Sequence, residues 1–263
     1  MPSGPDQSAN SWIEYPRSNP EAIMRLFCFP PAGSGAMMFR HWPGHLLPDL
    51  EVCSVQLPGR ENRRREQPFD QLSSLLPPLT EAILPHLDKP FAFFGHSMGA
   101  LIGFELARHL RSTHGIAPAH LFVSSHPAPQ IPSPTAPVHL SPDPALLEEL
   151  KHLGGTPEVI LSNSELMQLL IPTLRADLKL CETYVYQSAA PLGCPITAFG
   201  GSQDPKVTLA DLRAWQSETC GPFALVTYPG GHFFLFDSQI SLLQTICDML
   251  FVNIGQQSQA TGN

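Results

Sequence analysis

The chain has 263 residues, a formal net charge of −8 and 43% hydrophobic residues, a composition typical of a soluble globular protein with a sizeable core. The acidic balance argues against nucleic acid, which needs a basic surface to bind. No apolar run reaches the roughly 18 residues of a membrane-spanning helix, and the N-terminus lacks a secretory signal, so we expect a cytoplasmic protein outside membranes.

Strand-like and helix-like segments alternate along the chain, which predicts an α/β fold with a mostly parallel central sheet and helices on both faces. In chain order, the predicted strands are Met24–Phe29, Glu51–Leu57, Phe91–Phe94, Leu121–Ser125, Ile196–Phe199 and Phe223–Tyr228. The predicted helices are Leu72–Leu87, which two prolines should bend or break, then 98–111, Leu209–Glu218 and Gln239–Val252. The first twenty residues and the tail after Asn253 should be loosely held.

Residues 127 to about 190 differ from the rest of the chain because they show no strand pattern. Prolines crowd the beginning of this stretch, and helical patches follow at Ala145–Leu153 and Ser164–Leu170. The stretch is too small to carry an independent core. We therefore predict a single domain over residues 1–263 with a helical lid inserted at about 127–190, called the lid segment below.

The strongest chemical signal is Gly95-His96-Ser97-Met98-Gly99, a G-x-S-x-G that stands between a buried strand and a helix. In that context it predicts a nucleophile elbow, a sharp turn that exposes a serine hydroxyl at the carboxyl edge of the sheet. The alternative, a glycine-rich turn with a capping serine, lacks a reason for both glycines. Ser97 is therefore the predicted nucleophile.

A serine hydroxyl needs a base, and in this fold an acid and then a histidine follow the serine along the chain. The last histidine is His232, in a glycine-rich loop after the final strand, and Asp204 follows the strand before it. We predict His232 as the base and Asp204 as the acid that orients it. The other acids considered are Asp177, Asp211 and Asp237, of which the last two suit helix starts better.

Two backbone amides should stabilise the oxyanion that forms during attack. One is the amide of Met98, directly after the nucleophile, and the other belongs to the loop after the first long strand. That loop reads Pro30-Pro31-Ala32-Gly33, and because proline has no N–H, either Ala32 or Gly33 must donate.

Other functional motifs are missing from the sequence. There is no dinucleotide or phosphate-binding glycine loop and no HExxH, and the six cysteines form no CxxC pair. We expect free thiols, no metal site and no cofactor. One basic cluster, Arg60–Arg65, stands out in the acidic chain; a solvated loop is the favoured interpretation and docking of an acidic partner the alternative.

Six blocks of the sequence together resemble the type II thioesterases. These are stand-alone editing enzymes of polyketide and nonribosomal peptide synthesis, related to hydrolases that release fatty acyl chains from acyl carrier protein. The blocks are Leu26–Phe39 (LFCFPPAGSGAMMF), Gln56–Arg63 (QLPGRENR), Phe93–Ala100 (FFGHSMGA), Leu174–Asp177 (LRAD), Gly200–Asp204 and Gly230–Phe233 (GGHF).

The resemblance implies an α/β-hydrolase fold with a lid over an acyl pocket, and acyl or peptidyl carrier proteins as partners of a monomeric enzyme. It implies the triad Ser97, Asp204 and His232, selects Ala32 over Gly33 as the second oxyanion donor, and makes Asp177 a structural residue of the lid. Candidates for lining the acyl pocket are Leu166, Leu169, Leu170 and Leu174, with core packing as the commoner role of such a stripe. The alternative functions are an oxygen-ester hydrolase or acyltransferase with the same triad, and a carrier-docking protein without turnover.

Overall fold

A seven-stranded sheet lies at the centre of the computed structural model, which describes residues 12–132 and 137–260, and side chains as far as residue 251. Its strands are Ile13–Glu14 (β1), Met24–Phe29 (β2), Leu50–Val55 (β3), Phe91–His96 (β4), His120–Ser124 (β5), Ile196–Gly201 (β6) and Phe223–Tyr228 (β7). The spatial order is β1-β3-β2-β4-β5-β6-β7, and only β1 runs antiparallel to its neighbour. The prediction of a mostly parallel sheet is confirmed.

The short strand β1 was not predicted, and it corrects the expectation that the first twenty residues are loosely held. Ile13 is buried and pairs with Val55, while the backbone N–H of Gln56 donates to the carbonyl of Trp12 over 2.7 Å. A two-residue strand is too short to show an alternating pattern, so periodicity could not reveal it. Residues 1–11 lie outside the described residues.

Helices cover both faces of the sheet. They are Leu72–Ile83 (α1), Met98–His114 (α2), Asp143–Leu153 (α3), Glu158–Leu161 (α4), Ser164–Glu182 (α5), Leu209–Arg213 (α6) and Gln239–Ala260 (α7). On one face Phe27 and Phe93 pack with residues of α1 and α2. On the other face Leu26 and Phe94 pack with α7. Since successive residues of a strand point to opposite faces, these continuous apolar strands supply both cores.

All four helices predicted outside the lid segment differ from their predicted bounds; α1 ends at Ile83 instead of Leu87, α2 at His114 instead of 111, and α6 at Arg213 instead of Glu218. The first, α1, continues through Pro77 and Pro78 instead of breaking there. The prolines remove two N–H donors, but the residues that lose these partners, Ser73 and Ser74, are exposed, so water can replace the lost bonds while Leu79 stays buried. Helix α7 continues to Ala260, past the predicted end at Val252. Residues 261–263 lie outside the described residues.

The lid segment joins β5 to β6. In its described part it contains α3, α4 and α5 and contributes no strand to the sheet. Helix α5 is longer than predicted, because it passes through Pro172 and ends at Glu182 instead of Leu170. The assignment of one domain with an inserted lid stays a prediction. Within the described ranges, no helix has the length and apolar character needed to cross a membrane.

Candidate active site

Ser97 stands at the turn from β4 to α2 with an unusual backbone conformation. Its φ is 52°, a left-handed value that costs energy for a residue with a side chain. A Cβ at Gly95 would collide with the carbonyl of Gly99, and a Cβ at Gly99 would collide with the carbonyl of Phe29. Both glycines of the motif are therefore needed for the tight turn, and the turn leaves Ser97 only half-buried.

Three side chains that are distant in sequence meet at this edge of the sheet. His232 Nε2 lies 3.0 Å from Ser97 Oγ, and His232 Nδ1 lies 2.9 Å from Asp204 Oδ2. Asp204 follows β6, and the loop that follows β7 carries His232 back over the end of β5. Gly201 lets this loop come close, since a Cβ there would collide with the carbonyl of Gly231. The structure thus brings Ser97, His232 and Asp204 into one chain of hydrogen bonds.

The carboxylate of Asp204 is enclosed and well supplied with donors. Its side chain is only 1% exposed, and the backbone N–H groups of Lys206 and Val207 donate to Oδ1 over 2.9 and 3.2 Å. Burial acts to raise the pKa of Asp204, but the hydrogen bond and charge of His232, with the two amides, lower that pKa below its ordinary value. The carboxylate therefore stays ionised at neutral pH.

The loop that follows β2 lies directly beside the elbow. Parallel pairing places Phe29 opposite Gly95, so residues 30–35 leave the sheet next to Ser97. The N–H of Gly33 donates to Asp177 Oδ2 over 2.8 Å and is not free to bind another acceptor. Among the described residues, no acceptor faces the amides of Ala32 and Met98.

The other acids considered have different partners. Asp177 lies on α5, where Arg60 donates to both of its carboxylate oxygens over 2.7 Å. Asp211 forms a capping box with Thr208 at the start of α6, which confirms it as a helix N-terminal residue. Asp237 is exposed. Of the four acids considered for the triad, only Asp204 forms a hydrogen bond with His232 among the described residues.

Two residues beside the histidine were not singled out from the sequence. Ser125, at the end of β5, has a φ of 46°, and its hydroxyl donates to the carbonyl of His232 over 3.0 Å. His96 is fully buried with its ring 5.5 Å from the His232 ring, and burial holds the pKa of His96 well below its usual value. Ser125 could have been predicted as a site residue, because it directly follows a central strand whose carboxyl end lies at the same edge as Ser97. Ser125 holds the backbone of His232 by a hydrogen bond, and the His96 ring packs near the imidazole.

The lid segment contacts the site from both sides. A Cβ at Gly155 would collide with the ring of Phe233, next to the histidine, and one at Gly33 would lie 3.3 Å from Leu174 Cδ1. Of the four leucines expected to line a pocket, Leu174 alone is buried. Leu169 is 75% exposed and points to solvent, because a straight helix cannot turn both residues 169 and 174 inward.

The basic cluster is not a uniformly solvated loop, which corrects the favoured interpretation. Arg60 is buried against Asp177, and Arg63 is buried with its guanidinium 4.1 Å from the centre of a Trp12 ring. Only Arg64 and Arg65 are exposed arginines of the cluster. The sequence could not reveal this division, because Asp177 and Trp12, the partners that distinguish Arg60 and Arg63 from their neighbours, lie far away along the chain.

Comparison with known proteins shows the family. Residues 24–250 match the thioesterase domain family. The chain is 46% identical over 241 residues to the gramicidin S biosynthesis protein GrsT of Aneurinibacillus migulanus, covering 92% of this chain and 94% of that protein. It is 40% identical to the thioesterase PikA5 of Streptomyces venezuelae over 245 residues, 93% of this chain and 87% of PikA5.

A solved structure agrees with these relatives. The type II thioesterase BorB of the borrelidin biosynthetic cluster superimposes with a TM-score of 0.84 at 39% identity, covering 93% of this chain and all of BorB. With the family match and the relatives above, this structural similarity confirms the predicted α/β-hydrolase fold and the predicted thioesterase activity. The chain belongs to the thioesterase domain family and is a type II thioesterase.

Proposed function

We propose that this thioesterase is a serine hydrolase that releases acyl groups from the phosphopantetheine arm of carrier proteins, with Ser97 as nucleophile, His232 as base and Asp204 as the orienting acid. The observation that carries the proposal is the pair of hydrogen bonds of 3.0 and 2.9 Å through the two nitrogens of His232. This arrangement activates a hydroxyl that would otherwise be a weak nucleophile.

In the first half of the reaction, Ser97 Oγ attacks the thioester carbonyl carbon while His232 Nε2 takes the hydroxyl proton. The carbonyl oxygen becomes an oxyanion, which accepts hydrogen bonds from the amides of Met98 and Ala32. The carbon–sulfur bond then breaks, and the sulfur leaves as a thiol with the proton held by His232. The product of this half is an acyl ester on Ser97.

In the second half, a water molecule gives a proton to His232 and attacks the acyl carbon. The carbon–oxygen bond to Ser97 breaks, Ser97 recovers the proton, and a carboxylic acid leaves. The ionised Asp204, with its lowered pKa, favours the imidazolium that forms in both halves. The reaction needs no bound cofactor in this proposal, because the pantetheine arm arrives with the substrate.

The carrier protein as partner is supported by the names of the relatives. GrsT is named for gramicidin S biosynthesis and BorB for a borrelidin biosynthetic cluster. Arg64 and Arg65 are exposed, and they follow the carboxyl end of β3, at the same edge of the sheet as Ser97. We propose that these two arginines bind an acidic surface of the carrier protein. Arg60 and Arg63 are excluded from this role because both are buried.

The proposal is tested by comparing the wild type with Ser97→Ala on a panel of acyl-loaded carrier proteins. We expect Ser97→Ala to lower kcat by about 10⁶-fold. Acid release at the wild-type rate by this variant would overturn the proposed nucleophile. A parallel assay with an acyl-pantetheine and its oxygen-ester analogue tests thioester preference, and equal kcat/KM for the two would favour an oxygen-ester hydrolase.

The docking proposal needs a separate variant. The double substitution Arg64→Glu and Arg65→Glu should raise KM for carrier-bound substrate and leave KM for a small soluble thioester unchanged. The matched control is Arg40→Glu, which reverses another exposed arginine outside the cluster and should change neither KM. An equal rise in KM for both substrates would show that the two arginines act on the site itself.

A further inference from the structure

Asp177 and Arg60 form a buried pair that the reaction above does not use. Asp177 is 1% exposed and Arg60 is 7% exposed. Two parallel hydrogen bonds of 2.7 Å join the guanidinium to the carboxylate. Two apolar side chains of the same size would fill this space without the cost of removing two charges from water. Packing alone therefore does not explain why two charged residues occupy this buried position.

The carboxylate has a third partner in the loop that follows β2. The N–H of Gly33 donates to Asp177 Oδ2 over 2.8 Å, and Arg60 donates onward to the carbonyl of Ser34 over 3.1 Å. Leu174, one turn earlier on α5, lies against Gly33, whose φ of +75° favours glycine. The loop is thus held at two consecutive residues, immediately after Ala32.

Near Ala32 this loop is held by packing, since Pro30 and Pro31 are buried and Ala32 lies against the core, but by few hydrogen bonds. Pro30 and Pro31 have no N–H to donate, and the one backbone bond within the loop joins the N–H of Ser34 to the carbonyl of Pro31. An oxyanion donor must be held to within about 0.5 Å to stabilise a transition state. Because the Gly33 N–H is bonded to Asp177, the Ala32 N–H is the one of these two adjacent amides that remains available to an oxyanion.

We infer that Asp177, acting through Arg60 and the Gly33 amide, is a positioning residue of the oxyanion hole. It removes the Gly33 N–H from competition and fixes the Ala32–Gly33 peptide, which restrains the adjoining Pro31–Ala32 peptide that carries the Ala32 N–H. Asp177 touches neither the triad nor the substrate in this role. The inference rests on the proposed function, since it assigns a device that positions one of the oxyanion donors.

The test uses Asp177→Asn and two substrates, an acyl-pantetheine thioester and the dithioester in which sulfur replaces the carbonyl oxygen. Sulfur is larger and a weaker acceptor, so the preference for the thioester reports on the oxyanion hole. We expect Asp177→Asn to lower kcat by about 10²-fold with KM nearly unchanged, and to lower the thioester-to-dithioester ratio of kcat/KM by about tenfold.

The matched control is Glu51→Gln. It breaks another buried pair, Arg25 with Glu51 at 2.9 Å, at the amino ends of β2 and β3, far from the elbow. This variant should lose stability and keep the wild-type substrate ratio. A lowered kcat with an unchanged ratio in Asp177→Asn, as for a partly unfolded enzyme, would overturn the inference.

A second variant covers the case in which Asp177→Asn fails to fold. The double substitution Arg60→Met and Asp177→Leu replaces the pair with apolar side chains that restore packing and leave the Gly33 amide unheld. It should fold, as shown by its thermal unfolding, and have the lowered ratio. A folded double variant with the wild-type kcat and ratio would contradict the inference. If Ser97→Ala keeps turnover, the proposed function fails instead.

Discussion

The two halves of helix α5 differ sharply although they belong to one continuous helix. Before Pro172, Leu166 and Leu170 are partly exposed and Leu169 is 75% exposed, with only Met167 buried. After Pro172, the side chains that face the protein are buried, and the polar ones among them form hydrogen bonds with the loops that follow β2 and β3. The buried side chains are Thr173, Leu174, Asp177 and Leu180.

The contrast shows that the second half of α5 is held firmly by the rest of the protein and that the first half is held loosely. The second half of α5 is hydrogen-bonded to Gly33 in the loop that follows β2, so moving this half would disturb the loop beside Ser97. The first half makes few buried contacts, and segments of that kind change position at low cost in free energy. The first half of α5 can therefore adjust its position while the second half stays fixed to the loop that follows β2.

Among variants that keep Ser97, the largest effect is expected from Asp204→Asn, in the loop that follows β6. The amide cannot keep His232 in the tautomer that accepts the Ser97 proton, so kcat should fall by about 10⁴-fold. Steady-state kinetics on a soluble acyl thioester measure the effect. The control is Asp211→Asn, which alters a capping box on the neighbouring helix and should leave kcat close to wild type. Similar losses in both variants would contradict the assignment of Asp204.

The comparison between the two halves of α5 is tested by a pair of truncations. Leu174→Ala removes a buried side chain and should lower the free energy of unfolding by about 2–5 kcal/mol. Leu169→Ala removes an exposed one and should change it by less than about 0.5 kcal/mol. Urea denaturation of both variants measures the difference. Equal losses would show that the first half is as firmly packed as the second.

The smallest effect concerns acid stability. Because the pKa of Asp204 is lowered in the folded state, its ionisation stabilises the fold above the unfolded pKa of about 3.9. That contribution is lost as the pH falls through the lowered folded-state pKa. The stability difference between wild type and Asp204→Asn should therefore shrink between pH 5 and pH 2, as measured by denaturation at each pH. A difference that grows toward acid would mean that the folded-state pKa is raised.

Most predictions made from the sequence, of strands and of site residues, rested on local patterns and on the order of residues along the chain. The six long strands were predicted because each is a short, mainly apolar run next to a turn or helix signal. Ser97, Asp204 and His232 were predicted because each follows a strand whose carboxyl end meets the same edge. Contacts between residues that are distant in sequence could not be predicted from local patterns. The bonds from Ser125 to His232 and from Asp177 to Gly33 join residues 107 and 144 positions apart, and no local pattern encodes them.

The most direct test of the account is to look for the acyl group on Ser97. Wild-type enzyme mixed with excess acyl-loaded carrier protein is quenched with acid within one turnover, digested and analysed by mass spectrometry. The account predicts that the peptide containing Ser97 gains the mass of the acyl group and that hydroxylamine removes it. An acyl group found on a different residue would contradict it.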